Sequence, residues 1–136
     1  MKIMVCFDGS EETKEGLKVA GRHAQACNGE VLVITSQVID DKDYPKRLEP
    51  IEKSLEEAKA YLDEIGIPYE ALILFRGFED SAGEHLLTIA KEYQVGEIIV
   101  GISTRSKVEK LILGSVAQFV ILKAECPVVC VKRKRP

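Results

Sequence analysis

Short apolar runs alternate with helix-like patterns along the whole chain, and this alternation most constrains the fold. The first run is "KIMVCF", and comparable runs occupy residues 30–38, 69–75, 97–101 and 127–132. Parallel strands need long crossover connections, which helices usually supply. The pattern therefore predicts an open, doubly wound α/β domain spanning residues 1–136, with a five-stranded parallel sheet and helices on both faces.

The clearest helix follows the second apolar run. Ile51, Leu55, Ala58, Leu62 and Ile65 recur at spacings of four and three, which predicts an amphipathic helix ending near Gly66. The preceding stretch "IDDKDYPKRLEP", residues 39–50, combines charges with two prolines. We expect it to be the longest surface loop, the most mobile segment, and a lid over a ligand.

Composition excludes several classes of function. The net charge of −3 gives the chain as a whole no electrostatic footprint for nucleic acid. The N-terminal apolar run is too short for a signal peptide or a membrane span, so a soluble cytoplasmic protein is expected. The four cysteines lack CxxC spacing and there are only two histidines, which argues against a zinc site. We expect the cysteines to be small buried residues in a reducing compartment.

A ligand site in such a sheet is expected beyond the carboxyl ends of the strands, where the winding direction reverses. The segments after the first, second and fourth strands are therefore the candidates. Asp8 follows the first strand. From local sequence it has two interpretations, an Asx turn that starts the first helix or a ligand contact.

The segment "GISTRSKVEKLILGSV", residues 101–116, follows the fourth strand and carries a glycine at each end. Gly101 lets backbone approach a ligand, and Gly114 and Ser115 stand where the fourth helix begins. Free amides at a helix N-terminus suit an anion, and Arg105 lies between these positions. The segment is either a phosphate cradle or an ordinary turn and helix cap with a solvated basic face. Neither a P-loop nor a GxGxxG motif is present.

These residues resemble a known family. Gly101, then two residues, Thr104, then nine residues, then Gly114 and Ser115 are similar to the G-2x-G-9x-G-[S/T] signature of the universal stress protein family. The likeness extends to "FDGS", "QVID", "RGFEDSAGEHLLTIA" and "GSVAQFVILKAECPVVCVKR". The resemblance implies the strand order 3-2-1-4-5.

The resemblance also implies an ATP or AMP site, with Mg²⁺ as a further ion beside ATP. Asp8 would contact the nucleoside, and Val38 would meet adenine through its backbone. Ribose and phosphates would lie against the glycine signature and its neighbours: Gly101, Thr104, Arg105, Gly114, Ser115 and Val116. It further implies a regulatory role in the stress response and a homodimer that pairs the fifth strand.

The sequence departs from the signature once, because Thr104 replaces the second glycine. A Cβ there crowds backbone that must touch phosphate, and a β-branched residue is unsuited to positive φ. The alternative is therefore a dimeric interaction protein that has lost the pocket. Slow ATP hydrolysis is a third possibility, but no nucleophile and base stand at recognisable spacing, and His23 and His85 have no evident partner. Neither the client protein nor the triggering stress is encoded in these residues.

Overall fold

A computed structural model describes residues 1–39, 44–77, 81–105 and 110–133. Its elements, in chain order, are β1 (Lys2–Cys6), α1 (Glu11–Cys27), β2 (Glu30–Val38), α2 (Tyr44–Glu64), β3 (Tyr69–Arg76), α3 (Ala82–Glu92), β4 (Glu97–Arg105), β5 (Lys110–Ile112), α4 (Ser115–Lys123) and β6 (Val128–Lys132). In this part of the chain no helix is both long and apolar enough to cross a membrane.

The parallel sheet has the order β3-β2-β1-β4-β6. Because β6 is the fifth of the predicted strands, the predicted order 3-2-1-4-5 and the doubly wound α/β class are confirmed. The central strand β1 pairs Val5 with Val33 of β2 and with Ile99 of β4. A strand covered on both faces needs apolar residues at successive positions, and Ile3, Met4 and Val5 are all buried.

Each face of the sheet carries one core. On one face, α1 and α2 contribute Leu17, Ala20, Leu55, Ala58 and Leu62. Leu55, Ala58 and Leu62 belong to the predicted stripe of α2. On the other face, α3 and α4 contribute Leu86, Ala90, Ala117 and Val120. The chain therefore winds in one direction from β1 to β2 and β3, with α1 and α2 on one face, and in the other direction to β4 and β6, with α3 and α4 on the opposite face. The direction changes at β1.

The segment after the fourth predicted strand differs from the expectation. Strand β4 continues beyond Gly101 to Arg105, and its end pairs antiparallel with β5, matching Ser103 with Ile112 and Thr104 with Leu111. The predicted loop is therefore largely a β-hairpin, and residues 106–109 lie outside the described part. Ile102 and Thr104 are β-branched and favour extended backbone, which explains the longer strand.

The predicted loop over residues 39–50 is also wrong in its second half, since α2 already begins at Tyr44. Pro45 lies in the first helical turn, where a missing N–H costs nothing. Pro50 lies inside the helix and leaves the Lys46 carbonyl without its usual amide donor. Residues 40–43 lie outside the described part, so the lid expectation for this segment stays a prediction only there.

Two smaller expectations need correction. All four cysteines were expected to be buried, but Cys27 and Cys130 are exposed and Cys6 and Cys126 are partly buried. Cys27 ends α1 and Cys130 lies on an edge strand. His23, expected to lack a partner, places its Nδ1 2.6 Å from Glu97 Oε1 and so connects α1 to the start of β4.

Candidate functional site

A cavity of about 310 Å³ lies at the carboxyl ends of the strands, at the predicted switch point beside β1. Sheet and helix residues share its lining, and they are Cys6, Phe7, Asp8, Thr13, Ile34, Ser36, Arg76, Ala82, Leu86, Val100, Gly101, Gly114, Ser115, Val116 and Ala117. Five of the eight predicted site residues are among them, drawn from three separate segments of the chain.

A larger cavity, of about 470 Å³, lies between the C-terminal ends of α3 and α4. Lys91, Lys123 and Glu125 contribute to its lining and are exposed. It contains none of the predicted residues. Helix C-termini present carbonyl groups and partial negative charge, which disfavour a phosphate. Size alone therefore does not make it the better candidate.

Asp8 combines a turn with a place in the first cavity. Its Oδ1 accepts hydrogen bonds from the Ser10 amide at 2.8 Å and from Thr13 Oγ1 at 3.0 Å. Gly9, between Asp8 and the helix cap, has φ +83°, a conformation that glycine adopts without strain. The Asx-turn interpretation is therefore correct. The same turn holds the exposed carboxylate at the cavity wall, so a ligand contact remains compatible with it.

Gly114 is the N-cap of α4, with φ −65° and ψ 163°. The N-caps of α1 and α3 are Ser10 and Ser81, and each hydroxyl accepts a hydrogen bond from a backbone amide of the first helical turn. The N-cap of α4 makes no side-chain hydrogen bond. A Cβ built on Gly114 would meet no heavy atom within 4 Å. The first turn of α4 also carries no acidic residue. Open backbone amides and the positive end of the helix dipole therefore border the cavity, as the phosphate-cradle interpretation requires.

Gly101 has a packing role that sequence reasoning missed. A Cβ at this position would lie 2.8 Å from Glu12 Cγ and 3.0 Å from Thr13 Cγ2, both in the first turn of α1. The absence of a side chain thus allows α1 to approach β4 closely. Ser103 Oγ donates to Glu12 Oε1 at 3.0 Å on the same side. Gly101 also borders the cavity, so its predicted contact with ligand remains a prediction.

The other three predicted residues are Val38, Thr104 and Arg105. Val38 is not a lining residue, and its carbonyl accepts a hydrogen bond from Arg47 Nη2 at 3.0 Å. Thr104 and Arg105 have their backbones in the β4–β5 ladder. Extended backbone suits a β-branched residue. Thr104 therefore does not occupy a conformation that demands glycine, which removes one of the two reasons for doubting a functional pocket.

Two polar residues of the cavity were not predicted. Arg76 ends β3, and its Nε donates to Ser36 Oγ on β2 at 3.0 Å. Both stand at the carboxyl ends of strands, which is the signal that could have identified them. Cys6 is also part of the lining, and burial raises the pKa of its thiol to about 12. Its sulfur is therefore a neutral thiol at pH 7.

The described residues contain no cluster of three or more His, Cys, Asp or Glu side chains that could hold a metal ion. Among the described residues that line the cavity, Asp8 is the one carboxylate.

Comparison with known proteins identifies the family of this chain. A sequence model described as the universal stress protein family matches residues 1–132. The chain belongs to the universal stress protein family. A universal stress protein of Thermus aquaticus, named for its position in the QAH/OAS sulfhydrylase 3′ region, is 30% identical over 96% of this chain and 97% of its own.

Solved structures of other universal stress proteins have the same fold. One from Archaeoglobus fulgidus is 31% identical, superimposes with a TM-score of 0.85, and is matched over 97% of this chain and 98% of its own. A second universal stress protein structure from that organism, in complex with dAMP, is 25% identical with a TM-score of 0.74 and the same coverage of both chains.

Proposed function

We propose that this universal stress protein is a regulatory module that binds ATP or AMP, with the phosphates at the N-terminus of α4. The observation that carries the proposal is the convergence of Asp8, Gly101, Gly114, Ser115 and Val116 on one cavity at the switch point of the sheet. These residues come from three separate segments, and the resemblance to the family implies that they contact one ligand.

The chemistry of the cavity suits a nucleotide. The uncapped amides of α4 favour phosphate oxygens, and the Asp8 carboxylate can accept hydrogen bonds from ribose hydroxyls. Apolar side chains such as Ile34 and Leu86 offer surface to a base. A relative of the same fold, 25% identical, has been solved in complex with dAMP, which supports an adenine nucleotide here.

The proposed role is regulatory, since the described residues that line the cavity include no histidine or lysine to act as a general base. The Asp8 carboxylate already accepts the Ser10 amide and the Thr13 hydroxyl within the turn that starts α1. Bound nucleotide would report energy or stress state through the order of neighbouring segments or through dimer contacts. Mg²⁺ would accompany ATP and not AMP, because the extra phosphates supply its ligands. A cytoplasmic location is part of the same proposal.

The first test is whether protein purified without added nucleotide releases an adenine-absorbing compound on denaturation. Calorimetric titration of the emptied protein with AMP and ATP then gives affinities. Asp8→Asn keeps an oxygen for the Asx turn but removes the charge, so it should weaken AMP binding about tenfold while leaving the melting temperature nearly unchanged. Neither release nor binding at millimolar nucleotide would overturn the proposal and favour the interaction protein that has lost its pocket.

The proposal includes a homodimer formed through β6. This strand pairs with β4 on one side, and no other strand in the described part of the chain pairs with it. The Ile98 amide donates to the Pro127 carbonyl at 3.0 Å. Because hydrogen bonds alternate along a parallel ladder, the backbone groups of Val128, Cys130 and Lys132 point away from β4. An exposed, β-branched edge of this kind is usually covered or paired.

This alternation gives a selective test of the dimer. Cys130→Pro removes an outward-pointing N–H and spares the ladder to β4, so it should convert a dimer into a monomer. Cys130→Ala, at the same exposed position, should remain dimeric. Sedimentation at tens of micromolar distinguishes the two masses. A monomeric parent, or a dimeric Cys130→Pro variant, would contradict pairing through β6.

A further inference from the structure

Arg76 lines the candidate cavity and ends β3, three strand positions from β4, on which α4 packs. It pairs with Val38 in the β2–β3 register and donates through Nε to Ser36 Oγ at 3.0 Å. Both Arg76 and Ser36 line the cavity. The guanidinium plane is therefore oriented by a contact at the ligand site itself.

The sheet gives the cavity a direction. Across its carboxyl edge, Arg76 on β3 is followed by Ser36 on β2, Asp8 after β1 and Gly101 on β4. Helix α4 packs on β4, whereas α3 packs on β2. Strands β3 and β4 are three positions apart, or about 14 Å at a spacing of about 4.8 Å. A nucleotide with phosphate at Gly114 and ribose at Asp8 therefore directs its base towards Ser36 and Arg76.

Of the side chains that line the cavity in the described part of the chain, Arg76 is the cationic one and Asp8 the anionic one. If Arg76 served phosphate, the phosphate would leave the uncapped end of α4 and cross the whole site. A planar guanidinium, by contrast, stacks well on an aromatic ring. Because the hydrogen bond to Ser36 already orients the Arg76 side chain, the side chain loses less conformational entropy when a ring stacks on it.

We infer that Arg76 is the base-holding residue of this site: its guanidinium, oriented by Ser36, stacks on the face of the purine. The inference rests on the proposed nucleotide function. It adds that Arg76 makes the base contribute to affinity, in addition to the ribose and phosphate. Leu86, an apolar residue of the same cavity, completes the surroundings of the base. Lysine could replace the charge of Arg76 but not its plane.

The test separates the ligand into its parts. AMP, adenosine and ribose 5-phosphate are titrated calorimetrically into the parent, Arg76→Ala, Arg76→Lys and the control Arg22→Ala, which removes an exposed arginine of α1. Arg76→Ala and Arg76→Lys should both weaken AMP and adenosine roughly 5- to 30-fold and leave ribose 5-phosphate within twofold of the parent. Arg22→Ala should match the parent for all three ligands. Thermal melts without ligand verify folding, and Arg76→Lys retains a long cationic side chain if Arg76→Ala is unstable.

The outcomes are distinct. Equal losses for AMP and ribose 5-phosphate, with adenosine unaffected, would show that Arg76 contacts phosphate and would overturn the inference. Unchanged affinity for all three ligands would overturn it while leaving nucleotide binding intact. Full retention in Arg76→Lys would show that charge and not stacking matters, and would also contradict it. Failure of the parent to bind AMP would overturn the proposed function and this inference together.

Discussion

Replacing Gly114 by valine should separate nucleotide binding from folding. A Cβ at this position meets no heavy atom within 4 Å, and φ −65° with ψ 163° is ordinary backbone for valine. Valine is a poorer N-cap than glycine, so the substitution should cost about 1 kcal/mol of unfolding free energy. In a domain of this length that corresponds to a fall in melting temperature of about 4 °C.

The same methyl groups would occupy the space in which phosphate meets the first amides of α4. Charge-assisted hydrogen bonds contribute about 1.5–3 kcal/mol each, so the loss of two should weaken AMP and ATP at least about 100-fold. Gly114→Ala is the graded control. It should show a similar loss of stability because alanine caps as poorly as valine, but a smaller loss of affinity because it adds a single methyl group.

Calorimetric titration with AMP and ATP, beside thermal melts without ligand, measures both effects. If Gly114→Val binds nucleotide as tightly as the parent, phosphate does not lie at α4 and the phosphate-cradle interpretation fails. If the melting temperature of Gly114→Val falls by much more than about 4 °C, Gly114 is needed for stability. That result would contradict the expectation drawn from the open space around a Cβ at this position.

Three further predictions concern other parts of the molecule. Gly101→Ala should lower the unfolding free energy by about 1–3 kcal/mol, measured by urea denaturation, because its Cβ would press on Thr13 at 3.0 Å; a neutral effect would contradict the packing role. Burial raises the pKa of Cys6 from 9.0 to about 12, so above pH 9 the unfolded chain releases the thiol proton first and stability falls until about pH 12. Cys6→Ala should therefore reduce the alkaline slope by up to about 1.4 kcal/mol per pH unit, whereas exposed Cys27→Ala should not. His23→Ala removes a 2.6 Å contact with Glu97 and should cost about 1 kcal/mol without changing AMP affinity, since the pair lies at the amino end of β4; a loss of affinity would show that this end is coupled to the cavity.

The sequence was sufficient for the sheet because strands buried on both faces read as continuous apolar runs, as in β1. It was insufficient for the β4–β5 hairpin. The segment around Lys110 is short and mixed, and its extended form depends on pairing with the end of β4. The start of α2 was missed for a related reason. Two prolines and many charges are typical of a loop, yet Pro45 falls where the first helical turn tolerates it.

The site was predictable to the extent that it depends on position along strands and helices. Asp8 and Gly114 follow or precede regular elements, and the topology brings the ends of those elements together. Arg76 was missed because its contact with Ser36 depends on the β2–β3 register. The packing role of Gly101 was missed because it depends on how closely α1 approaches β4, which no local pattern encodes.

The raised pKa of Cys6 has a consequence for how the cavity withstands oxidants. Peroxides react with thiolates, and a thiol with a pKa of about 12 is ionised in only about one molecule in 100,000 at pH 7. Cys27 and Cys130 are exposed and so are reached first. The Cys6 thiol should thus react with peroxide more slowly than the exposed cysteines, so that oxidation would modify the outside of the protein before it reached this wall of the cavity.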